Sequence, residues 1–407
     1  MGVLKEICTF AAMKDFRTMT AEELQESIAS GETSTVQFKR QLDSMDGIAA
    51  EMIAMSNTKG GMILFGVEDK TGEIVGLDYA QLQDIGSRLA TVATDMIKPQ
   101  VFVTTEVVPV SIGGAVRRVL VASIAEGVAK PYKDRQGVIW MKQGCDKRRL
   151  TDNSEQVRLF HQSGLLLVDE MIVPETGITD IDKDKVQEYL QKINEETLDL
   201  DVDKDQIYRN IGILKGDRLS LAGLLFFGKS PQRYMPAFCI KAVAFYGNDM
   251  ADTHYRDSVD IVGTIPRMFE EGMRFFNMNL FHTQQGQDFN SVGILEISEI
   301  ALQELLQNAL THRDYSKNAP IRLFVFDNRI EIVSPGSLPN SLTIENIMLG
   351  NAVVRNNLIV SYASKLMRYR GLGTGIVRAL RHQPDLQLIN DRDGEQFKVI
   401  IPRQRIN

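Results

Sequence analysis

The sequence predicts an α+β protein with two domains, at residues 1–165 and 206–407, joined by an acidic helical connector at 166–205. Three observations favour this division. Helix-like and strand-like segments are mixed in the first region. Eleven acids against four bases crowd residues 175–205, which is typical of a solvated connector. The last region contains a helix, a hairpin and a glycine-rich loop in that order. With 407 residues, 43% of them hydrophobic, the chain is long enough for two or three cores.

A capped helix opens the first domain at Thr20, which is followed by two glutamates. Residues 48–55 predict a second helix, which Asn57–Gly61 ends. Strand patterns account for most of the remaining ordered sequence of this mixed domain. The predicted strands are Thr35–Lys39, Met62–Val67, Val101–Val110, Arg118–Ile124 and Val138–Lys142.

The connector and the start of the second domain are simpler. Apolar residues three and four apart predict one amphipathic helix in the connector. In the second domain, Leu221–Phe227 and Ala237–Tyr246 predict strands, and residues 265–280 predict a helix.

Gly223–Ser230 matches the P-loop pattern Gly-x4-Gly-Lys-Ser in its letters only. A P-loop wraps phosphates with successive backbone N–H groups and leads into a helix. Here Leu224–Phe227 is an apolar, strand-like run, and Pro231 and Pro236 follow. We therefore interpret the segment as a buried strand that ends at Gly228.

The most informative segment is a helix predicted over residues 294–316, which carries Glu304 and Asn308. At roughly 100° per residue these two side chains stack at the edge of an apolar half. A carboxylate can polarise a water, and an amide can hold a metal ion or a phosphate oxygen. A solvated helix edge is the alternative that this segment alone leaves open. The apolar half consists of Ala301, Leu302, Leu305, Leu306, Ala309 and Leu310.

Two later segments favour a site at this helix. Ile321–Pro339 predicts a hairpin that turns at Asp327-Asn328 and ends in a glycine turn at Gly336. Arg370–Leu380 predicts a glycine-rich loop that runs into a helix. Glycines let backbone N–H groups approach an anion closely, and a helix N-terminus favours negative charge. The ordered set is a stronger indication than any one member.

This set resembles the GHKL (Bergerat-fold) ATP-binding module of gyrase-type and histidine-kinase proteins, in the shortened form of a bacterial family of transcriptional regulators. In that family the Glu-x-x-x-Asn pair is followed by His-Arg-Asp-Tyr-Ser, here residues 312–316. The resemblance covers about 206–407 and implies ATP and Mg²⁺ as cofactors. It implies that Glu304 is catalytic and orients the attacking water, and that Asn308 holds Mg²⁺. The nucleotide-binding residues that it implies are Asn308, Ser334, Gly336, Gly371, Gly373, Thr374 and Gly375.

One position departs from the wider superfamily, in which an Asp two residues before the hairpin-turn glycine receives the adenine amino group. Ser334 stands there in this chain. A serine can accept a hydrogen bond but carries no charge, so we expect weaker adenine recognition. The segment between Gly336 and Gly371 is also short for a full ATP lid. Because the loss of one preorganised group costs ~10²–10³ in rate, we expect nucleotide binding more than steady hydrolysis.

The first domain resembles the Schlafen-type AlbA_2 domain over about residues 20–150. Three motifs carry this resemblance, at Glu32–Lys39, Asn57–Asp69 and Lys130–Gly144. The resemblance implies nucleic-acid binding. Some members of the family it resembles cut RNA at a metal site with three carboxylates.

That metal site is incomplete here, because its first two carboxylates correspond to Glu32 and Gln37. A glutamine brings no negative charge to a divalent ion. Glu32 with Asp69 or Glu68 leaves one weak metal site, so a two-metal nuclease is not expected.

Basic residues of the first domain are candidates for phosphate contact, although the net charge of the chain is −7. Residues 129–149 hold seven bases against two acids; a solvated strand edge protected by charge is an equal alternative. Tyr132 and Trp140 are the only aromatics among them, which gives little support to a stacking platform for single strands. We expect a nucleic-acid partner, DNA more than RNA, and a homo-oligomer. The candidate contacts are Lys39, Lys130, Lys133, Lys142, Lys147, Arg148 and Arg149.

Three scattered cysteines and the lack of any apolar run near ~20 residues predict a cytoplasmic protein without a membrane partner. Three functions remain open. The first is a DNA-binding transcriptional regulator whose nucleotide-binding-like module acts as a ligand or oligomerisation switch. The second is a metal-dependent endoribonuclease, and the third an interaction module in which both sites are degenerate.

Overall fold

The computed structural model describes residues 19–193, 204–251, 254–283, 293–339, 342–367, 369, 371 and 373–403. The chain divides into two compact units at Leu165 and Leu166. Each unit combines helices with a main sheet, so the predicted α+β class with two domains is confirmed.

Eight strands and four α-helices are described in the first unit. The strands are β1 (Val36–Lys39), β2 (Gly61–Phe65), β3 (Ile97–Lys98), β4 (Val103–Ile112), β5 (Ala115–Ile124), β6 (Lys133–Asp134), β7 (Trp140–Gln143) and β8 (Asp146–Arg149). The helices are α1 (Ala21–Ala29), α2 (Met45–Asn57), α3 (Tyr79–Thr91), which runs into a π-helical turn at Val92–Met96, and α4 (Asn153–Gln162). The capped helix predicted at Thr20 is confirmed, since the Thr20 hydroxyl accepts from the Glu23 N–H at 3.2 Å.

The main sheet of the first unit has the order β1-β2-β5-β4, with β1 parallel to β2 and the other pairs antiparallel. Alternate side chains of β2 point to opposite faces. Ile63 and Phe65 pack with Met52 of α2, whereas Leu64 packs with Leu24 of α1. The sheet therefore has a core on both faces. Helix α2 is buried from Ile48 to Asn57, so even its polar residues lie inside.

Ten strands and nine α-helices are described in the second unit. The strands are β9 (Leu214–Lys215), β10 (Arg218–Leu219), β11 (Ile240–Phe245), β12 (Tyr255–Ile261), β13 (His282–Thr283), β14 (Ile294–Leu295), β15 (Ile321–Val325), β16 (Arg329–Pro335), β17 (Gln387–Asp391) and β18 (Gln396–Pro402). The helices are α5 (Lys183–Ile193), α6 (Lys204–Asn210), α7 (Leu221–Phe227), α8 (Pro231–Tyr234), α9 (Ile265–Asn279), α10 (Glu299–His312), α11 (Ile344–Met348), α12 (Asn357–Leu366) and α13 (Gly375–His382).

A six-stranded sheet of order β12-β11-β15-β16-β18-β17 carries the core of the second unit. Only β11 and β15 of these neighbours are parallel. Helices α9 and α10 contribute Phe276, Leu302 and Leu306 to the same apolar cluster as Leu323 of β15. The predicted hairpin is confirmed as β15 and β16, and the predicted helix over 265–280 is confirmed as α9.

The predicted strand Leu221–Phe227 is wrong, because these residues form helix α7. The Ser220 hydroxyl accepts from the Gly223 N–H at 2.9 Å and begins the helix. All seven residues of α7 are buried, so the segment has no polar face from which a helical period could be recognised. A Cβ on Gly223 would overlap the backbone of Ile213, so this glycine serves close packing.

The helix predicted over residues 294–316 is shorter than expected. Ile294 and Leu295 pair with β13 as β14, and α10 covers only Glu299–His312. Ser298 precedes α10 and its hydroxyl accepts from the Ala301 N–H at 3.5 Å.

The acidic stretch contributes to the second unit's core. The predicted amphipathic helix is confirmed as α5, and its buried face includes Val186 and Tyr189. The Tyr189 ring meets the Tyr362 ring of α12 edge-on, with centroids 5.3 Å apart. Among the described residues no helix is both long and apolar enough to cross a membrane.

Candidate functional site

Helix α10 places Glu304 and Asn308 at the wall of a pocket in the second unit. Its apolar half is buried as the sequence predicts, which fixes the rotation of the helix. The Glu304 carboxylate is itself buried, with the residue only 8% exposed. The alternative of a solvated helix edge is therefore excluded for Glu304.

The start of helix α13 lies directly against this pair. A Cβ on Gly375 would come within 2.8 Å of Glu304 Oε2 and 3.0 Å of Asn308 Nδ2. Only a residue without a side chain allows the backbone to come so near both groups. Thr374, the residue before α13, makes no side-chain capping hydrogen bond. The first N–H groups of α13 thus meet the pocket without a side-chain cap, as an anion site requires.

The glycine-rich loop is held by a second close approach. Gly373 has φ +71°, and a Cβ there would overlap the carbonyl oxygen of Gly350. Gly371, Gly373, Thr374 and Gly375 all line the pocket. The structure therefore brings the helix, the hairpin and the loop together around one pocket. The sequence relates them only by their order along the chain.

The remaining pocket walls are mainly apolar and come from the sheet and from the segment after the hairpin. Ser334 is buried, and its hydroxyl lies 3.3 Å from the carbonyl oxygen of Ala309, to which it donates. Its oxygen can still accept a hydrogen bond. The other lining residues include Leu305, Ile332, Gly336, Ser337, Leu338, Pro339, Leu342, Ile347, Val353, Phe397 and Val399.

Arg378 is a pocket residue that the sequence analysis missed. Its guanidinium donates to Glu304 Oε1 at 2.8 Å, and its side chain is 34% exposed. It is the fourth residue of α13, and helical side chains point back toward the N-terminus of their helix. The signal available in the sequence is a basic residue three positions after the last glycine of the loop.

His312 lies at the end of α10 in the same pocket. Its Nε2 is 2.7 Å from the Tyr369 hydroxyl, and burial lowers the pKa of His312 to about 4. The charge of Arg355 makes a smaller contribution to the same shift of the pKa. Burial also raises the pKa of Tyr369. Both groups are therefore neutral near pH 7 and present a polar but uncharged wall.

The rest of the His-Arg-Asp-Tyr-Ser run has structural contacts. Arg313 is buried and donates to the carbonyl oxygens of Lys317 and Ala319, at 3.0 and 2.6 Å. Its guanidinium lies 4.7 Å from the centre of the Phe238 ring. The Tyr315 hydroxyl donates to the Leu310 carbonyl oxygen at 2.8 Å. These contacts fix the turn that follows α10.

Asp314 and Arg355 form a buried pair beside the pocket, 3.8 Å apart. Arg355 also donates to the Ser337 carbonyl oxygen at 2.6 Å. Because Arg355 lines the pocket, it adds a second guanidinium to that of Arg378.

In the first unit, Glu32 and Gln37 are in contact, and a lysine joins them. The Gln37 amide donates to Glu32, and Gln37 Oε1 accepts from Lys142 Nζ at 3.0 Å. The same ammonium donates to Glu51 Oε1 and to the Cys145 carbonyl oxygen, both at 2.6 Å. A buried cation with three acceptors repels a divalent ion at this place.

The expected weak metal pair is also engaged elsewhere. Glu32 accepts from the Phe38 N–H at 2.8 Å, and Asp69 forms an ion pair with Lys39. Asp69 also accepts from the Arg40 N–H at 3.3 Å. Across the described part of the chain, no group of three His, Cys, Asp or Glu side chains could hold a metal.

Carboxylates neutralise much of the predicted basic surface. Lys130 pairs with Glu126 at 2.7 Å, and Arg148 pairs with Glu155 at 2.8 Å. Lys142 and Lys147 both pair with Glu51, at 2.6 and 2.8 Å, and the Lys142 side chain is buried. The guanidinium of Arg149 lies 5.3 Å from the Trp140 ring centre, and the Lys133 ammonium lies 5.6 Å from that of Phe160.

Comparisons with known families match both units. Residues 32–151 match the family Schlafen, AlbA_2. Residues 318–401 match the family HATPase_c_4, whose description reads “Putative ATP-dependent DNA helicase recG C-terminal”. The chain therefore joins a Schlafen AlbA_2-like domain to an HATPase_c_4-like domain. The second matched region contains the hairpin and the glycine-rich loop, and it begins after Glu304 and Asn308. A domain family of unknown function matches residues 158–241.

Among solved structures, the chain is similar to the crystal structure of the DIP2311 protein from Corynebacterium diphtheriae. The two share 20% identity over 95% of this chain and 80% of that chain, with a TM-score of 0.45. No curated protein matches the chain.

Proposed function

We propose that the HATPase_c_4-like unit binds a nucleoside triphosphate with Mg²⁺, and that this ligand controls how the AlbA_2-like unit contacts nucleic acid. One observation carries the proposal. The Glu304 carboxylate and the Asn308 amide lie directly against Gly375, the first residue of α13. A Cβ on Gly375 would come within 2.8 Å of Glu304 Oε2 and 3.0 Å of Asn308 Nδ2. N–H groups that can bind an anion, a carboxylate and an amide lie together here. Such a set forms the phosphate and metal end of a nucleotide site.

The phosphate end is supported by charge. The glycine-rich loop and the start of α13 offer backbone N–H groups, and Arg378 and Arg355 add two guanidinium groups. Arginine suits phosphate oxygens because it presents several donors in one plane.

The Asn308 amide fits Mg²⁺ as a single protein ligand. Magnesium usually keeps several waters and takes few protein ligands beside the phosphates. When bound, it would neutralise phosphate charge. The Asn308 oxygen would orient it, and the neighbouring Gly375 leaves the space.

The base end has an apolar slot and one polar group. Ile332, Phe397 and Val399 line the slot from the sheet, and Ser334 lies among them. The Ser334 hydroxyl donates to Ala309, so it can only accept from a base amino group. We therefore propose modest preference among nucleobases.

We propose slow hydrolysis at this site. Glu304 would have to accept a hydrogen bond from the attacking water, yet without nucleotide its Oε1 accepts from Arg378. This ion pair must break first, and separating a buried pair of charges is costly. The unit would therefore act as a binding switch, in the manner of a transcriptional regulator, rather than as a steady ATPase.

The nucleic-acid role is a proposal that rests on the AlbA_2 similarity. Five of the seven candidate bases pair with carboxylates, so we expect few released counterions and modest affinity. Lys133 and Arg149 are the contacts that we propose first. Their charges lie over Phe160 and Trp140.

Isothermal titration tests the nucleotide role. Wild type should bind Mg-ATP, and Asn308→Ala should weaken binding about tenfold or more, an effect that EDTA reproduces. Asn210→Ala, an exposed asparagine outside the pocket, is the control and should bind as wild type. No heat with wild type would reject the nucleotide role.

Fluorescence anisotropy with labelled duplex DNA and single-stranded RNA tests the nucleic-acid role. A double variant, Lys133→Glu with Arg149→Glu, should weaken binding and flatten its salt dependence. Arg274→Glu, exposed in the second unit, serves as the charge control. Unchanged binding by the double variant would contradict the assignment, and RNA cleavage with Mn²⁺ that Glu32→Ala abolishes would instead favour a nuclease.

A further inference from the structure

Arg378 is held between a buried carboxylate and the open part of the pocket. It donates to Glu304 Oε1 at 2.8 Å, while the Glu304 side chain is only 10% exposed. The Arg378 Nε is buried and, among the described residues, makes no hydrogen bond. Its guanidinium therefore has donor capacity that this arrangement does not use.

The position of Arg378 links it to the terminal end of a bound nucleotide. Glu304 Oε2 faces Gly375, and Oε1 faces Arg378, so the carboxylate lies between the start of α13 and the guanidinium. The backbone N–H groups of the loop and of α13 suit the inner phosphates. Glu304 is the group proposed to face the attacking water, which approaches the terminal phosphate. Arg378 shares that carboxylate and lies at the same end.

Charge gives Arg378 two states. Without nucleotide, its cation compensates the buried Glu304 carboxylate, which would otherwise be costly to bury. A terminal phosphate brings a stronger negative charge to the same place. The guanidinium can then turn to the phosphate because its planar donors suit phosphate oxygens.

We propose that Arg378 selects a nucleoside triphosphate over a diphosphate by exchanging Glu304 for the terminal phosphate. This inference rests on the proposed nucleotide-binding function. It assigns the pocket a ligand class, and it makes Arg378 a specificity residue. The Glu304–Arg378 ion pair then belongs to the nucleotide-free site, and binding of the triphosphate breaks it.

Binding of Mg-ATP and Mg-ADP to the full-length chain tests the proposal. The variants are Arg378→Gln, Glu304→Gln and the double variant, with Arg381→Gln on the same helix as the control. Arg378→Gln should weaken Mg-ATP binding about 10- to 100-fold, since a hydrogen bond to a charged group is worth about that factor. Mg-ADP binding should change less than about threefold. The Arg381 variant should bind both ligands as wild type.

The double variant separates direct contact from simple charge compensation. If Arg378 only neutralises Glu304, removing both charges restores wild-type binding of Mg-ATP. If it contacts the terminal phosphate, Mg-ATP still binds about tenfold more weakly to the double variant than to Glu304→Gln. Equal losses for both nucleotides in Arg378→Gln, or full restoration in the double variant, overturn the proposal.

Failure of the proposed function gives a different result. If wild type binds neither nucleotide, both the function and the role of Arg378 are rejected. If wild type binds both and Arg378→Gln leaves the ATP-to-ADP ratio unchanged, only the role of Arg378 is rejected. Circular dichroism confirms folding. Should Arg378→Gln fail to fold, Arg378→Lys keeps the charge without the planar donors, and its loss must again be confined to Mg-ATP.

Discussion

Gly373 combines a left-handed backbone with a close contact, and both are needed for the loop that lines the pocket. We predict that Gly373→Ala lowers the free energy of unfolding by about 2–4 kcal/mol, since the new methyl group overlaps the Gly350 carbonyl. Gly216→Ala is a matched control, because Gly216 has φ +63° but nothing within 4 Å of an added Cβ. It should cost about 1 kcal/mol. Urea unfolding measures both, and equal losses would contradict the contact.

His312 provides a prediction of pH dependence. Its folded pKa is about 4, against 6.5 for the free side chain. Below pH 6.5 His312 becomes protonated in the unfolded chain, whereas in the folded chain it stays neutral down to about pH 4. The free energy of unfolding therefore does not depend on this group above pH 6.5. It falls by roughly 3 kcal/mol as the pH drops from 6.5 toward 4. His312→Gln should remove this part of the pH dependence; identical slopes for the two proteins would contradict the burial of a neutral histidine.

At the residue scale the sequence indicated Glu304, Asn308 and the glycines of the loop as candidates from their types and spacing, and the structure places them in one pocket. It could not identify Arg378, since a pairing between two helices depends on tertiary contact. Nor could it show that Lys142 is buried against Glu51, because 91 residues separate them. Spacing within one helix is visible in a sequence, whereas long-range charge pairing is not.

Helix α12 shows how the predicted connector at 166–205 supports the second unit. The buried Asp169 accepts from the N–H groups of Leu358 and Ile359, at 2.7 and 3.1 Å. We predict that Asp169→Ala lowers the free energy of unfolding by about 2–3 kcal/mol, since two helix N–H groups lose their acceptor. Asp169→Asn keeps one oxygen acceptor and should lose less. Thermal or urea unfolding that ranks the two variants in the opposite order would contradict this cap.

Elements that combine polar and apolar positions in the sequence could be predicted, and the wholly apolar helix α7 could not. The capped helix α1, the amphipathic α5 and the hairpin β15–β16 show a polar and an apolar face in the sequence. Helix α7 has no polar face, and its seven residues were therefore predicted as a strand. The Ser220 hydroxyl, which accepts from the N–H of the third residue of α7, marks the start of this helix in the structure.

The two units have separate cores, which makes a prediction for the whole molecule. Trp140 is the only tryptophan and lies in the first unit, with its indole N–H donating to Asp134 at 2.9 Å. Its fluorescence should therefore report unfolding of that unit. Mg-ATP at about 100 times its dissociation constant should stabilise the second unit by about 2.7 kcal/mol. With Mg-ATP, calorimetry should show a higher unfolding temperature for the second unit. The unfolding temperature reported by tryptophan fluorescence should not change. An equal rise of both temperatures would mean that the units unfold as one.

Hydrogen exchange tests the central claim most directly, because it locates the ligand as well as detecting it. We predict that Mg-ATP slows exchange in peptides covering residues 373–382, at the start of α13, and in peptides that contain Glu304 and Asn308. Asn308→Ala should reduce this protection, and peptides of the first unit's sheet should exchange as before. Protection confined to other segments, or none at a saturating concentration, would contradict a phosphate site at Gly375.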